Sequence, residues 1–274
     1  MSKQPIGVFD SGFGGLTILK ELVAFLPGYD YLYLGDNARS PYGNKTFETV
    51  YNYTLQSVKW LFEQGCPLVI LACNTASAKA LRTIQQKDLP NIDNEKRVLG
   101  VIRPTSEIIG TYSQSGHVGI LGTSGTVQSQ SYLIEIAKFF STVEVTQEAC
   151  PEWVSIVENN LIHTPYADEM IKKHIDRIIT NDPKIDTLLL ACTHYPLLMD
   201  KIKEHTPSNV SIVSQGVIVA ESLRDYLKRH PVLADRCSKN QSRQFFTTGD
   251  IIDFNNHASI FFGSEIVAKQ AFLH

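Results

Sequence analysis

Two cysteines stand directly after short apolar runs that are typical of buried strands. Cys73 lies in LVILACNTA and Cys192 lies in TLLLACTHY. Each is followed by residues that suit the first turn of a helix, so we expect both thiols at helix amino ends. The positive end of the helix dipole and the free amide groups there favour a thiolate over a thiol. Both cysteines are therefore candidates for proton transfer or nucleophilic attack.

The residues after each cysteine are expected to cap these helices. Asn74 and Thr75 can accept hydrogen bonds from free amides after Cys73, and Thr193 can do so after Cys192. Pro196 suits a first helical turn.

Apolar runs alternate with amphipathic stretches along the chain, which predicts an α/β protein with parallel, buried strands. The predicted strands are 6–9, 31–34, 68–71, 98–101, 118–121 and 187–190. The predicted helices are 16–26, 46–64, 76–86 and 167–180.

Two pairs of segments within the chain have similar sequences. IGVFDSGFGG around Asp10 is similar to VGILGTSGTV around Thr123, and the two cysteine runs are similar to each other. The offsets are 123 − 10 = 113 and 192 − 73 = 119, a difference that one loop can absorb. We infer two similar halves, each a mostly parallel sheet flanked by helices.

Ligands of open α/β sheets bind beyond the carboxyl ends of the strands, so one cleft between the halves could collect the polar residues found there. These residues are Asp10, Ser11, Cys73, Asn74, Thr123, Cys192, Thr193 and His194. One thiol on each side of a small substrate could remove a proton from one face of a carbon and return one to the other. Hydroxyl, amide and backbone donors could hold a substrate carboxylate.

Asp10 and His194 could move protons to and from the thiols or hold an ammonium group. Each also has a structural interpretation. Asp10 could cap the glycine turn that follows it, and His194 could be a buried histidine with satisfied hydrogen bonds.

The composition excludes several classes of protein. The chain has 274 residues, is 43% hydrophobic and carries a net charge of −3, without the basic surplus that nucleic-acid binding needs. No run is long enough for a membrane span and the amino end has no signal-peptide pattern, so we expect a cytoplasmic protein. The five cysteines are expected to be free thiols. No nucleotide-binding or metal-binding motif is present, and we expect neither a metal nor another cofactor.

Two alternatives remain from the residues alone. A hydrolase or transferase could use Cys73 for a covalent intermediate, with Cys192 only a copy left by duplication and without a catalytic role. A two-domain amino-acid sensor could use the polar groups without any chemistry.

Five ordered motifs resemble those of the glutamate racemases, cofactor-independent enzymes that supply D-glutamate for bacterial peptidoglycan. They are FDSGFGGLTILKEL (9–22), LGDNARSPYG (34–43), ACNTAS (72–77), LGTSGTV (121–127) and DTLLLACTHYPLL (186–198). Aspartate racemases have the same thiol pair, but their second motif typically resembles C-T-E, whereas this chain has C-T-H. The resemblance therefore implies glutamate as the substrate.

The resemblance also implies roles for individual residues. Cys73 would deprotonate the D-enantiomer and Cys192 the L-enantiomer, with Asp10 assisting the first thiol and His194 the second. Glu158, in ACPEWVSIVE, matches another acid of the family. The implied substrate contacts are Asp10, Ser11, Pro41, Tyr42, Gly43, Asn74, Thr75, Thr123, Thr193 and His194.

The family fold implies a first domain of residues 1–100 plus 207–274 and a second domain of residues 101–206. The active site would lie between them, and hinge closure could dehydrate the thiols. Members are commonly homodimers. The chain departs from the usual family pattern at Ala191, Arg103 and Ser155, none of which is a catalytic position.

Overall fold

The computed structural model describes residues 3–273 and contains two parallel β-sheets flanked by helices. The strands are β1 Ile6–Asp10, β2 Tyr31–Gly35, β3 Leu68–Leu71, β4 Arg97–Gly100, β5 His117–Gly122, β6 Glu144–Ala149, β7 Thr187–Ala191, β8 Ser211–Ser214, β9 Arg243–Thr247 and β10 Ala268–Gln270. The predicted α/β class is confirmed.

The two sheets repeat one strand order. The first runs β10-β9-β2-β1-β3-β4 and the second runs β6-β5-β7-β8. Strands β2-β1-β3-β4 of the first sheet therefore correspond, in that order, to strands β6-β5-β7-β8 of the second. In this correspondence β1 is equivalent to β5 and β3 is equivalent to β7. This equivalence confirms the two similar halves inferred from the repeated sequences, and β9 and β10 extend only the first sheet.

All six predicted strands are present, whereas β6, β8, β9 and β10 are not signalled by the sequence. Three of them, β6, β8 and β10, lie at sheet edges. An edge strand needs fewer apolar residues than a central one, and EVTQEA in β6 is largely polar and only partly buried. Short or polar edge strands therefore escape a search for apolar runs.

The division of the chain between the sheets differs from the expected domain boundary. The strand β8 pairs in parallel with β7, so the second sheet extends beyond residue 207. The chain leaves the second sheet after Ser214, and the helix that follows packs against the first sheet's helices.

The helices lie between successive strands. They are α1 Leu16–Phe25, α2 Phe47–Glu63, α3 Asn74–Lys79, α4 Leu81–Thr83, α5 Leu89–Ile92, α6 Ile102–Ser106, α7 Ser124–Gln128, α8 Ser131–Phe139, α9 Glu152–Glu158, α10 Pro165–Asn181, α11 Met199–His205, α12 Gly216–Arg229, α13 Pro231–Arg236 and α14 Ile251–Phe262. Three 3₁₀ turns, Asn37–Arg39, Ile109–Thr111 and Tyr195–Leu198, and a π-helical turn, Ile84–Asp88, complete the set. Within residues 3–273, no helix is both long and apolar enough to cross a membrane.

The helix predicted at 76–86 is interrupted. The helix α3 begins two residues earlier and ends at Lys79, because Ala80 leaves helical geometry with φ −118°. The other three predicted helices are present within a few residues of their expected bounds.

The core is layered by strand periodicity. Along β1, Ile6 and Val8 pack into one hydrophobic cluster and Phe9 packs into another on the opposite face. The first cluster also contains Leu121 and Leu190 of the second sheet, so one apolar layer joins both halves. A third cluster covers the other face of the second sheet.

Candidate active site

The strand order brings the repeated motifs to equivalent positions. Asp10 ends β1 and Cys73 follows β3 by two residues, while Thr123 and Cys192 directly follow β5 and β7. In such an order, the chain connections leave in opposite directions from the crevice between β1 and β3, and likewise from the crevice between β5 and β7. Such a crevice is a topological switch point, where ligands bind. Each half therefore presents one thiol at its switch point.

The Cys73 thiol is buried at the start of α3. Its sulfur accepts a hydrogen bond from the Ala76 amide at 3.4 Å, so Cys73 itself caps the helix, and its Sγ lies 3.5 Å from the hydroxyl oxygen of Ser11. Burial, followed by the charge of Asp10, raises the pKa of the Cys73 thiol to about 12, although the hydrogen bonds with Ser11 and the Ala76 amide lower it. The expectation that the helix end favours a thiolate is therefore wrong for Cys73, because desolvation outweighs one short turn of helix.

Asn74 and Thr75 do not cap α3 as predicted, because the Cys73 sulfur occupies that role. The Asn74 amide donates to the Gln215 side-chain oxygen at 2.7 Å. The Thr75 hydroxyl lies 2.9 Å from the Thr123 hydroxyl, which joins the two halves at the site.

Asp10 is fully buried behind Ser11. The Gly12 amide donates to Asp10 Oδ2 at 3.0 Å, so the carboxylate does cap the glycine turn. Its other oxygen accepts from the Thr193 hydroxyl at 3.5 Å. Burial raises the pKa of Asp10 above its ordinary value, although the charge of His194 opposes this shift. The structural interpretation of Asp10 thus holds and is compatible with a role beside the first thiol.

Cys192 lies at one end of a polar chain. Its sulfur is 3.9 Å from Nδ1 of His194, and Nε2 of His194 is 2.9 Å from Oε1 of Glu158. Burial lowers the pKa of His194, but the hydrogen bonds to Cys192 and Glu158 outweigh burial and raise that pKa to about 10. The imidazole is therefore charged at neutral pH, and Phe261 covers it edge-on.

The helix expected after Cys192 begins later than predicted. A 3₁₀ turn, Tyr195–Leu198, with Pro196 in its first turn, separates the cysteine from α11. Thr193 does not cap it, since its hydroxyl points to Asp10. Support for negative charge at Cys192 therefore comes from His194 rather than from a helix dipole.

The glycine turn after Asp10 explains how the halves approach. A Cβ atom at Gly14 would lie 2.3 Å from the Thr193 hydroxyl and 2.5 Å from Nδ1 of His194. Only glycine permits this approach. The glycines of this turn thus allow close packing against the loop that carries Cys192.

The loop at 40–43 closes another side of the site. The Tyr42 hydroxyl donates to the buried carboxylate of Asp36, which fixes the side chain. The Gly43 carbonyl accepts from the Gly125 amide at 2.8 Å, a backbone bond between the first and second halves.

These elements enclose a small cavity of about 20 Å³, called here the site cavity. The predicted site residues that line it are Ser11, Pro41, Tyr42, Gly43, Cys73, Asn74, Thr75, Thr123, Cys192, Thr193 and His194. Asp10 and Glu158 lie behind this lining, each beside a lining residue.

Two lining residues were not singled out from the sequence, Ser40 and Val154. Ser40 stands inside the quoted motif LGDNARSPYG and could have been found there. Val154 carries no chemical signal, since an apolar residue in a helix is ordinarily core.

Among residues 3–273, one group of side chains is arranged with the spacing of metal ligands, and it lies in α10 and α11. Asp168, Glu204 and His205 bring ligand atoms within 4.8 Å of one another. The ammonium of Lys201 already lies 2.8 Å from Glu204 and 3.3 Å from Asp168, so these carboxylates have a cationic partner.

Comparison with known protein families and sequences identifies relatives that are racemases. The profile of the Asp/Glu/Hydantoin racemase family matches residues 10–223. The chain is 39% identical over 277 aligned positions to the glutamate racemase of Roseobacter denitrificans, covering 97% of this chain and 99% of that one. It is 36% identical to the glutamate racemase of Thermoanaerobacter pseudethanolicus, covering 97% and 96%.

Solved structures agree in fold. A glutamate racemase isoform from Bacillus anthracis superposes with a TM-score of 0.90 at 33% identity, covering 100% of this chain and 99% of that one. The Francisella tularensis glutamate racemase in complex with D-glutamate superposes with a TM-score of 0.87 at 29% identity, covering 99% and 98%. With the family profile spanning both thiols and the match to glutamate racemases spanning nearly the whole chain, this protein belongs to the Asp/Glu/Hydantoin racemase family.

Proposed function

We propose that the protein interconverts L- and D-glutamate by proton transfer between the α-carbon and two thiols, without a metal or another cofactor. The observation that carries this proposal is that Cys73 and Cys192 line one small cavity from equivalent strand ends of the two sheets. Glutamate as the substrate is supported by relatives at 36% and 39% identity that are glutamate racemases.

In the direction from L to D, the α-proton of L-glutamate passes to the Cys192 sulfur. The electron pair of the broken C–H bond stays on the substrate, delocalised toward its α-carboxylate. The Cys73 thiol then gives its proton to the opposite face of the α-carbon and becomes a thiolate. The reverse direction exchanges the two roles, so each turnover moves one negative charge between the sulfurs.

The surroundings of the two thiols support this assignment. The raised pKa of Cys73 keeps it protonated at neutral pH, as a proton donor must be. The charged His194, held by Glu158, stabilises negative charge on the Cys192 sulfur. In the direction from L to D, Cys73 is thus the proton donor, and His194 lies beside the sulfur that receives the proton.

The carboxylates of glutamate would bind to neutral donors. The site cavity is lined by Ser11, Asn74, Thr75 and Thr193, together with the loop at 40–43. Hydrogen bonds from such donors stabilise charge that develops on the α-carboxylate during proton removal. Supply of D-glutamate to peptidoglycan and a cytoplasmic location follow as expectations from the family, as does a homodimer.

The first test incubates chelator-treated, cofactor-free protein with L-glutamate in deuterium oxide. We expect optical rotation to decay to zero while deuterium appears first in newly formed D-glutamate, because the proton is delivered by a different group from the one that removed it. Cys73→Ala and Cys192→Ala should each lower racemisation about a thousandfold or more. Cys66→Ala, which removes another buried thiol, is the matched control and should keep its activity.

Each alternative has a distinct outcome. A stable acyl adduct on Cys73 during turnover, with a fully active Cys192→Ala variant, would indicate a single-thiol enzyme. Tight binding of one enantiomer without loss of its α-proton would indicate a sensor. Racemisation of aspartate but not glutamate would overturn the substrate assignment.

A further inference from the structure

Three buried side chains form a closed ring of hydrogen bonds behind the site cavity. The Asn74 amide donates to Gln215 Oε1 at 2.7 Å, the Gln215 amide donates to the Tyr132 hydroxyl at 2.6 Å, and that hydroxyl donates to Asn74 Oδ1 at 2.6 Å. The three residues are at most 3% exposed. Every donor in the ring faces an acceptor, so the ring fixes which way each amide points.

The ring joins parts of the chain that are distant in sequence. Asn74 begins α3 directly after Cys73, Tyr132 belongs to α8 in the second half, and Gln215 links β8 to α12. The second hydrogen of the Gln215 amide points to the Thr105 hydroxyl at 2.9 Å. Thr105 lies in α6, just after the chain first crosses from β4 toward the second sheet.

Gln215 therefore touches both crossings between the sheets and one residue of the site cavity. Rotation of one sheet relative to the other has to pass through these two crossings, because they carry the chain between the sheets. A side chain bonded to both crossings and to Asn74 transmits their relative position to the cavity wall. In a buried, low-dielectric setting the ring is rigid, since a broken bond leaves an unpaired polar group.

We propose that Gln215, both directly and through Tyr132, is a positioning residue that holds the Asn74 amide in its substrate-binding orientation and couples it to the relative position of the two sheets. This inference rests on the proposed function, which places Asn74 among the groups that hold the substrate. One N–H of the Asn74 amide is committed to Gln215 and the other is free to donate to a substrate carboxylate. Without the ring the amide could rotate and present its oxygen, which would repel that carboxylate.

The test uses Tyr132→Phe, which removes a single oxygen from the ring, and Gln215→Met, which keeps the length of the side chain. We expect each variant to raise KM for both enantiomers about tenfold, with a smaller change in kcat. The double variant should be no worse than the more damaged single variant, because both changes open the same ring. Tyr31→Phe is the matched control, a buried tyrosine whose hydroxyl bonds only to the backbone carbonyls of Leu22 and Leu26.

Calorimetry with D-glutamate, with Cys73→Ala added to each protein so that the ligand is not racemised, measures binding separately from turnover. If wild-type protein binds D-glutamate without racemising it, the proposed function fails, and the ring is then judged from the dissociation constants of the variants. A purely structural ring would lower the unfolding temperature and the fraction of active protein but leave KM and Kd unchanged. That result in either folded variant, or additive effects in the double variant, would overturn the inference.

Discussion

At the scale of single residues, the two thiols have different electrostatic partners. Cys73 faces Asp10, a buried carboxylate, whereas Cys192 faces His194, a charged imidazole. Burial and the carboxylate raise the pKa of Cys73, whereas the charged imidazole of His194 lies beside the Cys192 sulfur. Different surroundings for two otherwise identical thiols suit them to exchange acid and base roles.

The charge on His194 makes a testable contribution to stability. Its pKa is raised from its ordinary value of 6.5 to about 10 in the folded chain, so the folded state binds the proton more tightly than the unfolded state. The stabilisation is fully present below pH 6.5 and is lost as the pH rises through about 10. The free energy of unfolding of the wild type, measured by chemical denaturation, should fall as the pH rises across this window. In the His194→Gln variant, the free energy of unfolding should depend less on pH below about pH 9.

His163→Gln, a change at an exposed histidine, is the control and should follow the wild-type curve. A wild-type curve with the same slope as that of His194→Gln from pH 6.5 to 9 would contradict the assigned charge on His194.

At the scale of elements, the turn between β1 and α1 decides how closely the halves can pack. It follows Asp10, passes through glycines and lies against the loop that carries Thr193 and His194. Those two side chains are held in turn by Asp10 and Glu158 and have little freedom to move aside. A turn without glycine here would separate the second thiol's loop from the first half.

Gly14→Ala tests this close approach. The added methyl group meets Thr193 and His194 at less than contact distance, so we expect a loss of about 1–3 kcal/mol in the free energy of unfolding and a marked fall in turnover. Gly28→Ala is the matched control, because nothing lies within 4 Å of its added methyl group. An active and fully stable Gly14→Ala variant would show that the loop can yield.

At the scale of the whole molecule, the site cavity is too small for its proposed substrate. About 20 Å³ is room for roughly one water, whereas pockets for small molecules span roughly 300–1,000 Å³. Binding of glutamate in this cavity therefore requires its walls to move apart, and we expect the two halves to separate. The contacts that join the halves here include the hydrogen bond from the Gly125 amide to the Gly43 carbonyl and the Thr75–Thr123 hydroxyl pair.

Hydrogen exchange at the Gly125 amide reports on this opening. The amide lies in the first turn of α7, where helix amides have no partner within the helix, and its bond reaches across to Gly43. We expect it to exchange faster than the central amides of β5 and to slow about tenfold or more when D-glutamate saturates the protein. Equal exchange with and without D-glutamate would contradict opening at this contact.

The sequence by itself determined the central architecture and most of the polar residues that line the site cavity. The buried strands β1, β3, β5 and β7 were readable because they are continuous apolar runs, and the polar residues after them could be placed at strand ends by topology alone. The repeated cysteine motifs indicated two similar halves, since each motif includes both a strand and the turn after it.

Only the tertiary structure decided in which direction the pKa of Cys73 shifts and which partners hold Asn74. Burial raises the pKa of Cys73 against the helix-end effect that the sequence predicts, and burial depends on every element packed around it. The partners of Asn74 lie 58 and 141 residues away, in segments whose residue types carry no signal. Local pattern fixes elements because periodicity and capping act over a few residues, whereas desolvation and long-range hydrogen bonds exist only once the chain has folded.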